Sequence, residues 1–96
     1  MYEIIKGKIF IIGSLSREKE IQSMAKYYKS LNYEVDYVRK QPDKDFATLV
    51  NEAFQKISEA DSIVVMQKEE GGLGEGTIYE VAFAKFIGKK VFILRN

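Results

Sequence analysis

Glu80 stands one turn into a helical pattern, directly after a glycine-dense segment. The run reads Gly71-Gly72-Leu73-Gly74-Glu75-Gly76-Thr77-Ile78-Tyr79-Glu80-Val81-Ala82-Phe83-Ala84 and holds four of the chain's seven glycines. An apolar stretch, Ile63-Val64-Val65-Met66, precedes it. A glycine loop between a strand and a helix lets a ligand approach the backbone closely. Gly74, Gly76 and Thr77 would line such a loop, with Glu80 at the mouth of the pocket. That placement suits chemistry on a small phosphorylated or sugar-bearing ligand. A second anion-site candidate is Gly13-Ser14-Leu15-Ser16-Arg17. There, N–H groups at a helix start, two hydroxyls and one arginine could hold a phosphate.

Each motif also has a plainer reading. Thr77-Ile78-Tyr79-Glu80 is a capping box, in which Thr77 accepts from the N–H of residue 80 and Glu80 reaches back to residue 77. The macrodipole favours a glutamate there as well. One glycine is enough to enter a helix, however, and four within six positions point to a loop shaped around something. Gly13 to Arg17 could simply be a serine cap, with Ser16 as N-cap, followed by a surface arginine. Asp61, between the second helix and third strand, is either a turn residue or a site carboxylate. Glu69, Glu70 and Glu75 lie on or beside the glycine loop and are either second carboxylates or solvated. Tyr2, Tyr27, Tyr28, Tyr33 and Tyr37 read as packing residues. Neither glycine-bearing turn matches a Walker loop or GxGxxG, which leaves ATP and dinucleotide readings weak.

Ninety-six residues predict one small domain spanning 1–96. With 46% hydrophobic and 30% charged residues, the chain can bury a core and stay in solution. A net charge of +1, with both signs interspersed, gives no reason to expect nucleic acid or a membrane as partner. The absence of cysteine excludes disulfides and thiol chemistry and fits a cytoplasmic setting. The absence of histidine removes the usual neutral-pH proton shuttle and, with cysteine, the usual transition-metal ligands. No metal site is expected. Acid–base or nucleophilic work falls to carboxylates, tyrosines, lysines or hydroxyls. Met1 to Gly7 carries no signal-peptide pattern, and no apolar run approaches a membrane span.

The elements that would position these residues follow from periodicity. Lys8 to Ile12 is continuously apolar after its lysine, as a strand buried on both faces would be. Ile21, Met24, Ala25, Tyr28 and Leu31 recur at helical spacing over 17–31, and Asn32 would end that helix. Tyr33 to Val38 alternates like a strand, with Tyr33, Val35 and Tyr37 on one side. Gln41-Pro42-Asp43 starts a second helix, whose apolar face is Phe46, Leu49, Val50, Ala53, Phe54 and Ile57. Ser62 to Met66 is a third strand, and 67–76 the glycine loop. Thr77 to Phe86 or Ile87 is a third helix, stopped by Gly88, and Lys90 to Leu94 is a fourth strand. This alternation predicts an α/β fold: a flavodoxin/Rossmann-like three-layer sandwich with a four-stranded parallel sheet in the order 2-1-3-4. Ligands of such sheets bind beyond the carboxyl ends of the strands, at the two glycine-bearing turns.

On three segments the chain resembles the nucleoside 2-deoxyribosyltransferase family, including relatives that hydrolyse deoxynucleoside 5'-monophosphates. They are Ile9-Phe10-Ile11-Ile12-Gly13-Ser14; Ala60-Asp61-Ser62-Ile63-Val64-Val65; and Gly76-Thr77-Ile78-Tyr79-Glu80-Val81-Ala82-Phe83-Ala84 with Gly88-Lys89-Lys90-Val91. The resemblance implies that Glu80 is the nucleophile attacking the anomeric carbon. It implies that Gly13 and Ser14, with Arg17 near, hold a 5'-phosphate. It also implies homo-oligomers whose sites a neighbour completes. The glycine segment through Glu80 looks similar to the GGxGTxxE motif of lysine-decarboxylase-like phosphoribohydrolases, which also act on N-glycosidic bonds.

The resulting expectation is cleavage or transfer of the N-glycosidic bond of a nucleoside or its 5'-monophosphate, without a metal or organic cofactor. Glu75, Glu70 and Asp61 are candidate acids for the leaving base, in that order. The alternative is a catalytically silent module that senses or sequesters a nucleotide. Base release from a panel of nucleosides and monophosphates separates the two. The third helix reads as too apolar for a one-sided surface helix, with Ile78, Val81 and Ala82 on one stripe and Tyr79, Phe83 and Phe86 on another. The second stripe would be exposed on a monomer, which implies a homodimer or larger assembly.

Overall fold

Both faces of the first strand are covered, and this is what its unbroken apolar run is for. The computed structural model describes residues 7–94. The reading of Met1 to Gly7 falls almost wholly outside those residues, as does Tyr2. Strand β1 (Lys8–Gly13) pairs in parallel with β2 (Glu34–Tyr37) on one side and β3 (Ser62–Met66) on the other, and β3 pairs in parallel with β4 (Lys90–Leu94). The sheet order is β2-β1-β3-β4, as the sequence predicts. Helices α1 (Glu18–Ser30), α2 (Phe46–Glu59) and α3 (Glu75–Phe86) complete an α/β sandwich.

Alternate residues of the two central strands feed two cores. Ile9, Ile11, Val64 and Met66 pack against Ile21 and Ala25 of α1. Phe10, Ile12, Ile63 and Val65 pack against Ala53 and Ile57 of α2 and Val81 and Ala84 of α3. One helix therefore covers one face and two cover the other. Tyr33, Val35 and Tyr37 all turn toward the α1 side, as their alternation predicts. No helix among the described residues is long and apolar enough to cross a membrane.

Helix starts depart from the sequence reading, each for a local reason. Ser16 is not the cap of α1. Ser14, in extended backbone, accepts from the Ser16 N–H at 3.3 Å and caps a 3-10 turn over Leu15–Arg17, so α1 begins only at Glu18. Pro42 does not start α2. Residues 41–44 close a turn, with Lys44 N–H donating to the Gln41 carbonyl at 3.0 Å. Asp45 then caps the helix by accepting from Thr48 N–H at 2.8 Å. Helix α3 begins two residues earlier than its sequence suggests, at Glu75 with Gly74 as N-cap, and no side chain caps it. Thr77 and Glu80 consequently lie inside the helix and are buried, and the capping box does not form. The two terminators behave as expected: Asn32 adopts a left-handed φ of 71° and Gly88 one of 81°.

The two predicted stripes of α3 sort differently from expectation. Phe83 is not exposed; it stacks on Phe54 of α2 with ring centroids 4.3 Å apart. Val81 and Ala84 face the sheet. Outward, α3 presents Ile78, Tyr79, Ala82 and Phe86 beside the exposed Glu75 and Lys85, with Phe86 88% exposed. An apolar helix face of this kind favours self-association. Size exclusion coupled to light scattering at micromolar concentration should give a mass above the 11.0 kDa of one chain. Phe86→Lys should move it toward monomer. An 11.0 kDa species for the unaltered chain would remove the self-association reading.

Candidate functional site

Gly13 sets the geometry of the carboxyl end of the sheet. A Cβ at that position would lie 2.8 Å from the backbone oxygen of Met66, its partner in the β1–β3 register. Only glycine lets the two strand ends run this close. The turns that follow then sit side by side, and Gly74 comes to face Ser14. Arg17 fastens them, its Nη1 donating to the Gln67 carbonyl at 2.9 Å. Gln67 in turn accepts from the Gly72 N–H at 2.9 Å and donates to the Leu94 carbonyl at 3.0 Å. One side chain thus ties the glycine loop to the end of β4.

The glycines divide by role. Gly71 and Gly72 have φ of 92° and 77°, which a side chain would strain. They close a turn in which Lys68 N–H meets the Gly72 carbonyl and Gly71 N–H meets the Lys68 carbonyl. Gly74 and Gly76 line a cleft of about 670 Å³ beyond the ends of β1 and β2 and the start of α3. A Cβ at either would meet only ordinary contacts, at 4.0 Å from Ser14 and 3.5 Å from the Phe46 ring. The glycine density therefore serves a turn and a cleft wall together.

Glu80 reaches this cleft from the second turn of α3 and is only 8% exposed. Its carboxyl makes no hydrogen bond or ion pair among the described residues. Burial alone pushes its pKa up from 4.5 to about 7. A carboxylate held so can gain much from a positive charge arriving beside it. Gly13, Ser14, Glu75 and Thr77 line the same cleft, so the structure gathers most of the residues singled out in the sequence.

Five residues it does not bring there. Asp61 accepts from the Lys8 N–H at 2.8 Å, at the amino end of the sheet, and does not line the cleft. Arg17 points to the α1 side, where it meets Gln67 and lies 3.8 Å from Glu20. Ser16 lies in the 3-10 turn, with its hydroxyl 2.9 Å from that of Ser14. Glu69 and Glu70 are exposed on the loop, Glu70 being 4.0 Å from Lys68. Neither lines the cleft. Among the described residues no group of three or more metal-ligating side chains gathers.

Other lining residues carry no motif and were passed over in the sequence. Phe46, Leu49 and Val50 form an apolar wall from the first turns of α2. Phe46 also meets the Tyr79 ring edge-on at 6.5 Å. Tyr37 and Arg39 from the end of β2, Lys44 from the turn before α2 and Lys56 of α2 add a polar part to the lining.

No protein-family model and no curated protein sequence matches the chain. Among solved structures it is similar to a CMP N-glycosidase of Clostridium botulinum, BcmB. The match has a TM-score of 0.63 and 20% identity, and covers 88% of this chain and 69% of that one. At this identity the likeness establishes a shared fold.

The buried carboxyl has a stability signature. Glu80 titrates near 7 in the folded chain and near 4.5 unfolded, so between those values the folded state binds more protons. Stability from this group is therefore highest below pH 4.5, falls as pH rises, and levels off above pH 7. The whole loss is on the order of 3 kcal/mol. Glu80→Gln lacks it. In urea titrations, the stability of Glu80→Gln relative to the parent should rise by about that amount from pH 4.5 to pH 8. A pH-independent difference would show that Glu80 is not desolvated.

Proposed function

We propose that the chain belongs with the nucleoside 2-deoxyribosyltransferase-like N-glycosidases and cleaves or transfers the N-glycosidic bond of a nucleoside or its 5'-monophosphate. The observation that carries this reading is the buried carboxyl of Glu80 on the wall of the cleft, without a partner among the described residues. The fold shared with a CMP N-glycosidase and the motif around Glu80 support it.

Breaking a glycosidic bond builds positive charge on C1′ and the ring oxygen. In the cleft the Glu80 carboxylate is poorly solvated. The developing oxocarbenium supplies the charge that the protein withholds, so the interaction strengthens on the way to the transition state. A Glu80 carboxylate oxygen then bonds to C1′ as the C1′–N bond breaks. The bond's electron pair leaves with the base nitrogen, which takes a proton. Glu75, at the first position of α3 and on the cleft wall, is the carboxyl placed to supply that proton. Water, or an acceptor base in a transfer, attacks C1′ and releases Glu80 as a carboxylate. The apolar wall of Phe46, Leu49 and Val50 offers a surface for a planar base.

Two outcomes check this. Glu80→Gln should abolish release of free base from deoxynucleosides and monophosphates while the chain stays folded. In the parent, kcat/KM should rise with pH through an apparent pKa near 7, because the nucleophile must be ionised in the free enzyme. Full turnover by Glu80→Gln would remove the assignment. A ligand-induced thermal shift without base release in the parent would point to a binding module instead.

A further inference from the structure

Helix α3 has two possible starts. The observed one has Gly74 as N-cap, and its first internal bond runs from Ile78 N–H to the Gly74 carbonyl at 3.0 Å. The other is the capping box of Thr77 and Glu80, in which Thr77 is the N-cap. There the Glu80 carboxylate would accept from Thr77 N–H, a first-turn donor with no partner inside the observed helix. Taken alone, the helix favours this second start. The observed start has no side-chain cap and places Gly76 in the first turn. It also leaves the Glu80 carboxyl buried without a hydrogen bond among the described residues. Within the first turn only Glu75, an acid near the helix N-terminus, favours it. The start at Gly74 is therefore imposed from outside the helix.

Gln67 is placed to impose it. It follows Met66, which pairs with Leu94 at the end of the sheet. Its Nε2 donates to the Leu94 carbonyl at 3.0 Å, and its Oε1 accepts from Gly72 N–H at 2.9 Å. Both ends of one amide are used, so the side-chain length sets the distance from β4 to Gly72. Only Leu73 separates Gly72 from Gly74, and Leu73 packs against the core shared by α2 and α3. With Gly72 held, Gly74 stands beside Ser14 and the helix begins there. With that amide removed, the loop gains slack, Glu75 and Gly76 join it, and the start passes to Thr77.

We propose that Gln67 is a positioning residue of the site: it holds α3 to its Gly74 start and so keeps the Glu80 carboxyl in the cleft instead of on the Thr77 N–H. A chemical role for Glu80 rests on the glycosidase reading; its placement by Gln67 does not. The two placements differ in how Glu80 ionises. In the cleft, burial raises its pKa to about 7. The charged groups sharing that cleft are Arg39 after β2, Lys44, Glu52, Lys56 and Glu59 before and along α2, and Glu75 on α3. None of them adds to the shift, which is burial alone. In the capping box, a backbone N–H and the helix N-terminus would both favour the ionised form.

The test follows the Glu80 carboxyl carbon by NMR through a pH titration of the full chain, with no turnover involved. The parent should titrate near 7. Gln67→Met keeps the side-chain length but neither hydrogen bond. Gln67→Asn keeps the amide but is a methylene too short for both partners. Each should bring the midpoint down to 4.5 or below. In both, Ile78 N–H should exchange faster while Ala84 N–H keeps its protection, since only the observed start bonds Ile78 to Gly74. Adding Gly76→Ala to Gln67→Met favours a helical first turn, and the new methyl meets only the Phe46 ring at 3.5 Å. It should return the midpoint toward 7. An unmoved midpoint, or a fall that Gly76→Ala does not restore, would overturn the proposal. So would loss of the fold in both Gln67 variants, which would leave Gln67 a stability residue alone. If the glycosidase reading also holds, Gln67→Met should lower kcat with KM kept. A moved and restored midpoint in a chain that releases base from no nucleotide keeps the role of Gln67 and sinks the glycosidase reading. Base release by the parent with an unmoved midpoint does the reverse.

Discussion

The site depends on how closely β1 and β3 can run at their carboxyl ends. Position 13 has no room for a methyl group, because the Met66 carbonyl occupies its place. With glycine there, the turn after β1 and the loop after β3 lie within reach of one Arg17–Gln67 hydrogen bond. Gln67 passes the constraint on to Gly72 and Leu94. The glycine loop is thereby anchored at its start, and Gly74 delivers α3 beside Ser14 rather than away from it. Arg17 acts here as a structural brace, with its side chain on the α1 side rather than in the cleft.

Two carboxyls near the cleft are driven in opposite directions by their surroundings. Asp36 is partly buried, yet two cations and a backbone N–H keep it ionised to about pH 2. Glu80 is more deeply buried and has no cation, and its pKa rises to about 7. One is tied into a fixed scaffold; the other has no partner among the described residues.

The apolar face of α2 is likewise split. Ala53 and Ile57 are buried in the core, whereas Leu49 and Val50 line the cleft and Phe46 stands at its rim, 55% exposed. A single helical periodicity thus covers both core and cleft wall. Sequence pattern reports that a residue is apolar, and cannot say whether its neighbour is a strand or an open space.

The strand order and the layers were legible in the chain, the helix starts were not. Continuous apolar runs at Ile9–Ile12 and Ile63–Met66 require cover on both faces, and the alternation of strands and helices leaves few ways to supply it. Glu80 was legible as a candidate because glycine and carboxylate patterns are local. Its environment was not. Shifting the start of α3 from Thr77 to Glu75 turns a capping residue into a buried acid, and that shift depends on where the loop is anchored. Asp61 and Arg17 look functional in one dimension because they sit next to strand ends. Only the tertiary structure shows that Asp61 is at the far end of the sheet and that Arg17 faces the other layer. Arg39 carries no motif at all. Its place at the cleft comes from the β1–β2 register and a shared carboxylate on β2, which join residues distant in sequence. Local periodicity is written in the chain; desolvation and charge balance exist only once distant segments meet.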